Sequence, residues 1–381
     1  MTERLKKISF LSFGHFSNDL YPGMLSPLLP VFIYRYGWSI TQAGILITVL
    51  QLFANLSQPV FGIINDKWPS KKYMWLGLLI AGLPFGFVMH ITTIHLMMFA
   101  MAVTGIGVGM YHPVAVVAAG NISHEKRKGV SMALFTAGGQ ISFMVAPLLA
   151  VLIIEYMGDV YMPLILIPAL AAALYFALDK SIVIKGGHGL SFNEWIASFR
   201  GSGKQLAILW VVSSFSSITQ MLIISFLPMF AIARGSSYSF GAYFLSASLF
   251  ASMVGTFIGG HLSDIHGCKK IMVTAMLLSC PFLIGFLYTH GTISIIFLLI
   301  GICLLCSGIP IGIILAQRAN PRLAGMASSL VMGLSYATGA LAATPFGALA
   351  DNIGIERAMN VPIFLPLFGG IFALMLASDS K

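Results

Sequence analysis

The chain has 381 residues, of which 58% are hydrophobic and only 9% charged, and its mean hydropathy is +0.92. That leaves too little polar surface to coat a water-soluble globule, which excludes a soluble enzyme and points to a chain solvated by lipid. The formal charge of +9 is not a nucleic-acid signature, because Lys and Arg sit in the gaps between apolar runs instead of gathering on one face.

Roughly 20 apolar residues cross a bilayer as a helix. Runs of that kind are predicted at 8–34, 41–64, 73–91, 94–119, 130–154 and 160–178, and again at 205–233, 240–262, 271–290, 292–316, 326–349 and 354–377. The expected fold is therefore an all-α integral membrane protein with twelve transmembrane helices. All of the 21 Lys and Arg except Arg35, Arg234 and Arg357 fall in alternate gaps. By the positive-inside bias those gaps face the cytoplasm, and with an even number of spans both termini do too.

The first run follows Arg4, Lys6 and Lys7 and is too long and too polar for a cleavable signal, so it reads as a span. Within it Gly14-His15-Phe-Ser-Asn18-Asp19-Leu-Tyr-Pro22 places His15 and Asp19 four residues apart, on one helix face. Asp19 lies about 18 Å beyond Lys7 at 1.5 Å per residue, near the middle of a hydrocarbon layer about 30 Å thick. A carboxylate there costs on the order of 2.5–3.5 kcal/mol, so it must face the bundle interior or a wet cavity. Two readings stand side by side: a satisfied polar pair between helices, and a proton-coupling pair in which His15 titrates near neutrality. No metal site is expected, because HxxxD alone supplies too few ligands for zinc. Pro22, Pro27 and Pro30 are expected to interrupt the outer half of this helix and so to line a pathway.

On the second run Gln51, Asn55 and Gln58 recur at helical spacing and are candidates for the substrate cavity. The run closes on Gly62-Ile-Ile-Asn-Asp66 followed by Lys71 and Lys72. In the fourth, Gly105, Gly107 and Gly109 permit close helix packing and lead to Tyr111-His112-Pro113. His112 is a candidate second proton relay, with a carbonyl-bonded buried histidine as the bland alternative, and Tyr111 is a candidate cavity residue. The fifth holds Gly138-Gly139-Gln140 and Pro147, with Gln140 a further cavity candidate.

A displacement of 198 residues superposes much of the second half on the first: Gly260-His-Leu-Ser-Asp264 with Lys269 and Lys270 repeats Gly62 to Lys72. The domains expected are an N-terminal six-helix half at 1–178, a cytoplasmic linker at 179–204 and a C-terminal half at 205–381. Leu190, Phe192, Trp195, Ile196 and Phe199 in the linker fit one face of a short surface helix. The duplicated Gly62, Asp66, Lys71 and Gly260, Asp264, Lys269 suit a cytoplasmic gate, in which glycine permits close approach and aspartate meets cationic groups. The titratable pair is not duplicated, since Ser213 and Ser217 stand at the positions equivalent to His15 and Asp19, and Pro310 at that of His112. Gln220 is an intramembrane polar group of the second half. Cys303 and Cys306 lack a second ligand pair and read as packing.

The doubled GxxxDxxxxK motif resembles the loop signature of the major facilitator superfamily, and the Gly138 to Pro147 run resembles the small-residue signature of its antiporters. With HxxND in the first span, His-Pro in the fourth, Gly325-Met-Ala-Ser, Leu349-Ala-Asp351 and Phe364-Leu-Pro-Leu367, the chain is similar nearly end to end to the fosmidomycin-resistance family of bacterial drug exporters. That resemblance implies two pseudo-symmetric six-helix bundles in a bacterial inner membrane, acting as a monomer. It implies proton-driven export of a small molecule, with His15, Asp19 and His112 at the family's motif positions. The family commonly has Glu after His-Pro, where this chain has Val114. The expected partners are lipid, protons and the small-molecule substrate, with no nucleic acid and no cofactor. The alternative is proton-coupled import of a nutrient or metal chelate by the same machinery. The sequence lacks a Walker loop, HExxH or GxSxG, so ATP hydrolysis and enzymatic chemistry are not expected.

Overall fold

The computed structural model describes residues 3–122, 128–182, 184, 202–321 and 324–376, and every regular element among them is helical. In chain order α1 is Glu3–Tyr36, α2 Ile40–Lys67, α3 Lys72–Gly86, α4 Ile94–Ile122, α5 Lys128–Val151 and α6 Leu166–Leu178. A wide helical turn at Leu152–Met157 and a tight one at Asp159–Ile165 join α5 to α6. Then come α7 Gly203–Ala233, α8 Tyr238–His266, α9 Cys268–Tyr288, α10 Gly291–Cys306, α11 Ile309–Ala319, α12 Ala324–Ile353, α13 Ile355–Ala358 and α14 Asn360–Ala373.

Ten helical stretches are long and apolar enough to cross a membrane, α10 and α11 together making one of them. The remaining two predicted spans fall in α1 and α12, helices of 34 and 30 residues that are not among those ten. In α1, three prolines and the polar residues from His15 to Asp19 dilute the apolar character. Most of the predicted linker, with its surface helix, lies outside the described residues.

The prolines do not interrupt α1, which runs unbroken through Pro22, Pro27 and Pro30. A neighbouring helix holds the backbone in line, as is usual for prolines in membrane helices. At Gly23 there is room for no more than hydrogen, because a Cβ would stand 2.9 Å from that of Ala146 on α5.

The chain forms two compact units, one of residues 1–38 with 45–189 and the other of 39–44 with 190–381. In the first, α1 lies along α5 and α3 along α4. The α4 glycines serve two neighbours: Cβ atoms at Gly105 and Gly109 would fall 2.5 and 2.4 Å from the Leu50 and Ala54 carbonyl oxygens of α2, and one at Gly107 would fall 2.2 Å from the Ala81 nitrogen of α3. The second unit makes the equivalent contact with the glycines on the other partner. There Gly255 and Gly259 of α8 meet the carbonyl oxygens of Cys303 and Ser307, residues that stand 198 positions after Gly105 and Gly109. Cys303 thus takes part in helix packing, and all four cysteines are free thiols.

The repeat extends to helix ends. Ser39 and Gln42 form a reciprocal capping box at the start of α2, and Ser237, 198 residues on, accepts the Phe240 N–H at the start of α8. Lys71 donates to the Ala177 and Asp179 carbonyls at the end of α6, at 3.0 and 2.6 Å. Lys269 donates to the Leu376 carbonyl just past α14, at 2.6 Å. Each lysine neutralises orphan carbonyls and the negative end of a helix dipole. Arg35 binds Asp159, and Arg234 faces Glu356 at 3.6 Å in the other unit.

Within the second unit, the α2 start has an additional cap. Asp351 of α12 accepts the Ile40 and Thr41 N–H groups, both at 2.8 Å, and the Thr41 hydroxyl at 2.5 Å.

Candidate functional site

The titratable site is built wholly within the first unit, from α1, α4 and α5. The four-residue spacing of His15 and Asp19 brings His15 Nε2 to 3.1 Å from Asp19 Oδ2, and α4 presents His112 Nε2 at 3.1 Å from Asp19 Oδ1. One carboxylate therefore bridges two imidazoles. His15 and Asp19 are only 8% and 6% exposed, and Asn18 between them is fully buried. Both ion pairs of Asp19 among the described residues are with histidines, not with a permanently charged Lys or Arg.

The α5 helix controls the site through a backbone atom and an absent side chain. The Phe135 carbonyl lies 3.0 Å from His15 Nδ1, and the Phe135 ring stacks on the imidazole at 4.5 Å. A carbonyl can only accept, so Nδ1 carries the hydrogen. Gly139 supplies the space: a Cβ there would lie 2.5 Å from Asp19 Oδ2 and 2.7 Å from His15 Nε2. The adjacent Gly138 lets α5 approach α1, since its Cβ would fall 2.1 Å from the Ser12 carbonyl oxygen. Ser142 fastens the same crossing by donating to the Phe16 carbonyl at 2.6 Å.

Asn18 completes the cluster. Its Nδ2 donates to Asp19 Oδ1 at 3.1 Å and lies 3.3 Å from His112 Nε2, while its Oδ1 is buried without a partner. The three donors of His15, Asp19 and His112 lie within 4.8 Å of one another, so the further ligand that HxxxD lacks is supplied by α4.

The bare geometry implies a proton count. An imidazole nitrogen and a carboxylate oxygen 3.1 Å apart need a hydrogen between them, because two lone pairs would repel. With Nδ1 already protonated, the hydrogen between His15 Nε2 and Asp19 Oδ2 is a second proton on the pair. Without it a bare nitrogen would face a buried carboxylate, an unfavourable contact.

The other predicted site residues are spread more widely. Tyr111 is fully buried, its hydroxyl donating to the Leu11 carbonyl at 3.1 Å and its ring packed beside Phe176, so it serves the α1–α4 contact. On α2 Gln51, Asn55 and Gln58 are half-buried, with Asn55 donating to the Gln51 carbonyl of its own helix at 2.7 Å. Gln140 is half-buried on α5 next to Gly139. Gln220 belongs to the second unit, where it donates to Ser252 Oγ at 3.1 Å and Cys306 Sγ at 3.2 Å. It lines a small cavity with Ser213, Ser216, Ser217 and Tyr336, so the positions equivalent to His15 and Asp19 form a neutral hydroxyl-lined counterpart. Of the candidate gate residues, Gly62 and Gly260 lie 3.9 Å, as their Cβ positions, from Pro113 and Pro310 respectively. Lys71 and Lys269 hold the helix-end carbonyls described above. Asp66 and Asp264 are exposed.

Membrane-length helices in two units related by a sequence repeat, with a buried ionisable cluster in one of them, fit a polytopic membrane transporter. The chain belongs to the Major Facilitator Superfamily, whose family model matches residues 11–343, and so to a class of membrane transporters and not of enzymes. It is 28% identical to an uncharacterized MFS-type transporter, YfnC, of Bacillus subtilis (strain 168), over 96% of this chain and 91% of that one. It is 27% identical to the fosmidomycin resistance protein of Escherichia coli (strain K12), over 94% of this chain and 90% of that one. Among solved structures, a bacterial homologue of the human lysosomal transporter Spinster, inward-facing and occupied, superposes with a TM-score of 0.86 over 99% of this chain and 97% of that one, at 14% identity. That last likeness speaks to the fold alone.

Proposed function

We propose that the chain is a proton-coupled antiporter that exports a small organic, drug-like molecule by alternating access, with His15, Asp19 and His112 as its proton-holding group. One observation carries this reading: a buried carboxylate lies 3.1 Å from a ring nitrogen of each of two imidazoles, and the other nitrogen of His15 is tied to a backbone carbonyl. A carboxylate kept only for structure is more economically paired with Arg, which never deprotonates, whereas histidine titrates in the physiological range. Gain or loss of that proton changes the site by one charge, and a buried unit charge is large enough to shift a two-state conformational equilibrium. The fosmidomycin resistance protein's name supports outward transport of an antibiotic-like solute.

In this proposal the protein works as a monomer in the bacterial plasma membrane with both termini in the cytoplasm, an orientation that the distribution of Lys and Arg supports. The residues Gly62, Asp66, Gly260 and Asp264 close the cytoplasmic face, and the helix-end contacts of Lys71 and Lys269 hold each loop in place for that task. Gln51, Asn55, Gln58 and Gln140 of the first unit offer neutral polar contacts to substrate, and Gln220 lines the small cavity of the second unit.

The test is transport by purified protein in sealed liposomes with an imposed pH gradient, following internal pH and solute together. Opposed fluxes of proton and solute agree with the proposal. Solute movement without proton movement contradicts coupling, and parallel fluxes identify a symporter, the importing alternative.

A further inference from the structure

We infer that the cluster of His15, Asp19 and His112 is also a binding site for a divalent transition-metal ion of the zinc class, which occupies the place of the shared proton. The inference rests on the ligand geometry and not on the coupling proposal. Zinc takes imidazole nitrogen and carboxylate oxygen at about 2.0–2.2 Å in tetrahedral array, which puts neighbouring ligand atoms about 3.3–3.6 Å apart around the ion. The two nitrogen-to-oxygen separations, both 3.1 Å, fall only about 0.2–0.5 Å short of such edges. The third edge, between the two imidazole nitrogens, is at most 4.8 Å.

Three further features fit a metal more closely than a chance polar cluster. The His15 Nδ1–H bond to the Phe135 carbonyl is the outer-shell contact that turns Nε2 toward an ion and fixes its tautomer. Gly139 leaves the volume beside Asp19 Oδ2 and His15 Nε2 clear of a side chain. Finally, the amide oxygen of the fully buried Asn18 has no partner. Half a turn of that amide places the oxygen where Nδ2 now stands, 3.1 Å from Asp19 Oδ1 and 3.3 Å from His112 Nε2, as a fourth donor. Imidazole with hard oxygen donors suits Zn²⁺, Co²⁺ or Ni²⁺ rather than a thiophilic ion. On binding, bonds form from the ion to Nε2 of each histidine and to the carboxylate, and the protons on those nitrogens pass to the buffer.

The experiment uses the purified full-length chain in detergent, carrying no polyhistidine tag, titrated with Co²⁺ and read by visible ligand-field absorption, then chased with Zn²⁺. One ion per chain is expected, displaced by zinc. His15→Gln and His112→Gln should each weaken binding by at least about 100-fold, beyond the 10–100-fold typical of losing an outer-shell partner. A double variant of two histidines at the C-terminal end of α8, His261→Gln with His266→Gln, should leave it unchanged. X-ray absorption of the zinc-loaded wild type gives a second readout that needs no variant: two imidazoles and oxygen donors are expected. No absorption band at a large excess of cobalt, bands that survive both cluster substitutions, or sulfur ligands near 2.3 Å, which would place the ion on Cys303 and Cys306, each overturn the inference. No gradient is involved, so failure here leaves proton coupling standing, and success here does not establish it.

Discussion

A methyl group on Gly139 would stand 2.5 Å from the carboxylate oxygen Oδ2 of Asp19. The ionisable cluster on α1 is thus shaped by a residue of α5 that contributes no atom to it. Gly139→Ala should push Asp19 or His15 out of their shared contact, costing about 1–3 kcal/mol of stability as ordinary overpacking and abolishing proton-driven transport. Gly138→Ala differs, because its methyl meets the Ser12 backbone oxygen and the helices themselves must separate. It should lower the thermal midpoint more than Gly139→Ala does, and comparing the two midpoints in detergent checks this order.

Lys71 and Lys269 are equivalent in sequence and in role, each donating to carbonyls at a helix end. Charge-assisted hydrogen bonds of this kind contribute about 1.5–3 kcal/mol when sheltered, and less where water reaches them. Lys71→Met and Lys269→Met should each lower the unfolding midpoint in detergent. If they alter transport with no change in midpoint, the capping role is wrong and a pure gating role takes its place.

The arginines Arg35 and Arg234 look alike in the repeat but are bound differently. Arg35 pairs with Asp159 through side chains 39% and 40% exposed, so Arg35→Ala should cost no more than about 1 kcal/mol. Arg234 is far less exposed and donates to the carbonyls of Thr289 and Leu287, while Glu356 stands at 3.6 Å, too far for a good hydrogen bond. Arg234→Ala should therefore cost about 2–3 kcal/mol, and Glu356→Ala much less. Equal destabilisation by the two arginine variants would contradict the assignment.

Asp351 supplies the α2 terminus with a cap from a distant helix. Asp351→Ala removes three hydrogen bonds and should cost about 1–2 kcal/mol, whereas Thr41→Val removes only the hydroxyl contact and should cost less. Thermal unfolding of both variants tests the ranking.

Much of this was visible in the sequence because it depends on spacing. Apolar runs locate the helices, the interval of four residues puts His15 beside Asp19, and alternate glycines mark α4 as a close packer. What was hidden depends on backbone atoms or on contacts between distant elements. No residue type announces that the Phe135 carbonyl will fix the His15 tautomer, that Asn18 will reach His112, or that Gly139 will face the carboxylate. The glycines of the second unit's equivalent contact sit on α8 instead of α10, so a search for a repeated glycine motif misses a packing arrangement that is nonetheless repeated. The prolines of α1 misled in the opposite sense. Their local chemistry favours a break, and packing against α5 overrides it.

Whether the Asp19 cluster couples solute movement to protons is tested by comparing wild type with Asp19→Asn in liposomes, in two assays on the same preparation. One assay follows solute exchange at equal pH, and the other follows accumulation driven by a pH gradient. The variant should keep exchange and lose gradient-driven accumulation, because the amide preserves shape but cannot hold the second proton against His15. Gradient-driven accumulation by Asp19→Asn at the wild-type rate would contradict it and return His15, Asp19 and His112 to a structural role.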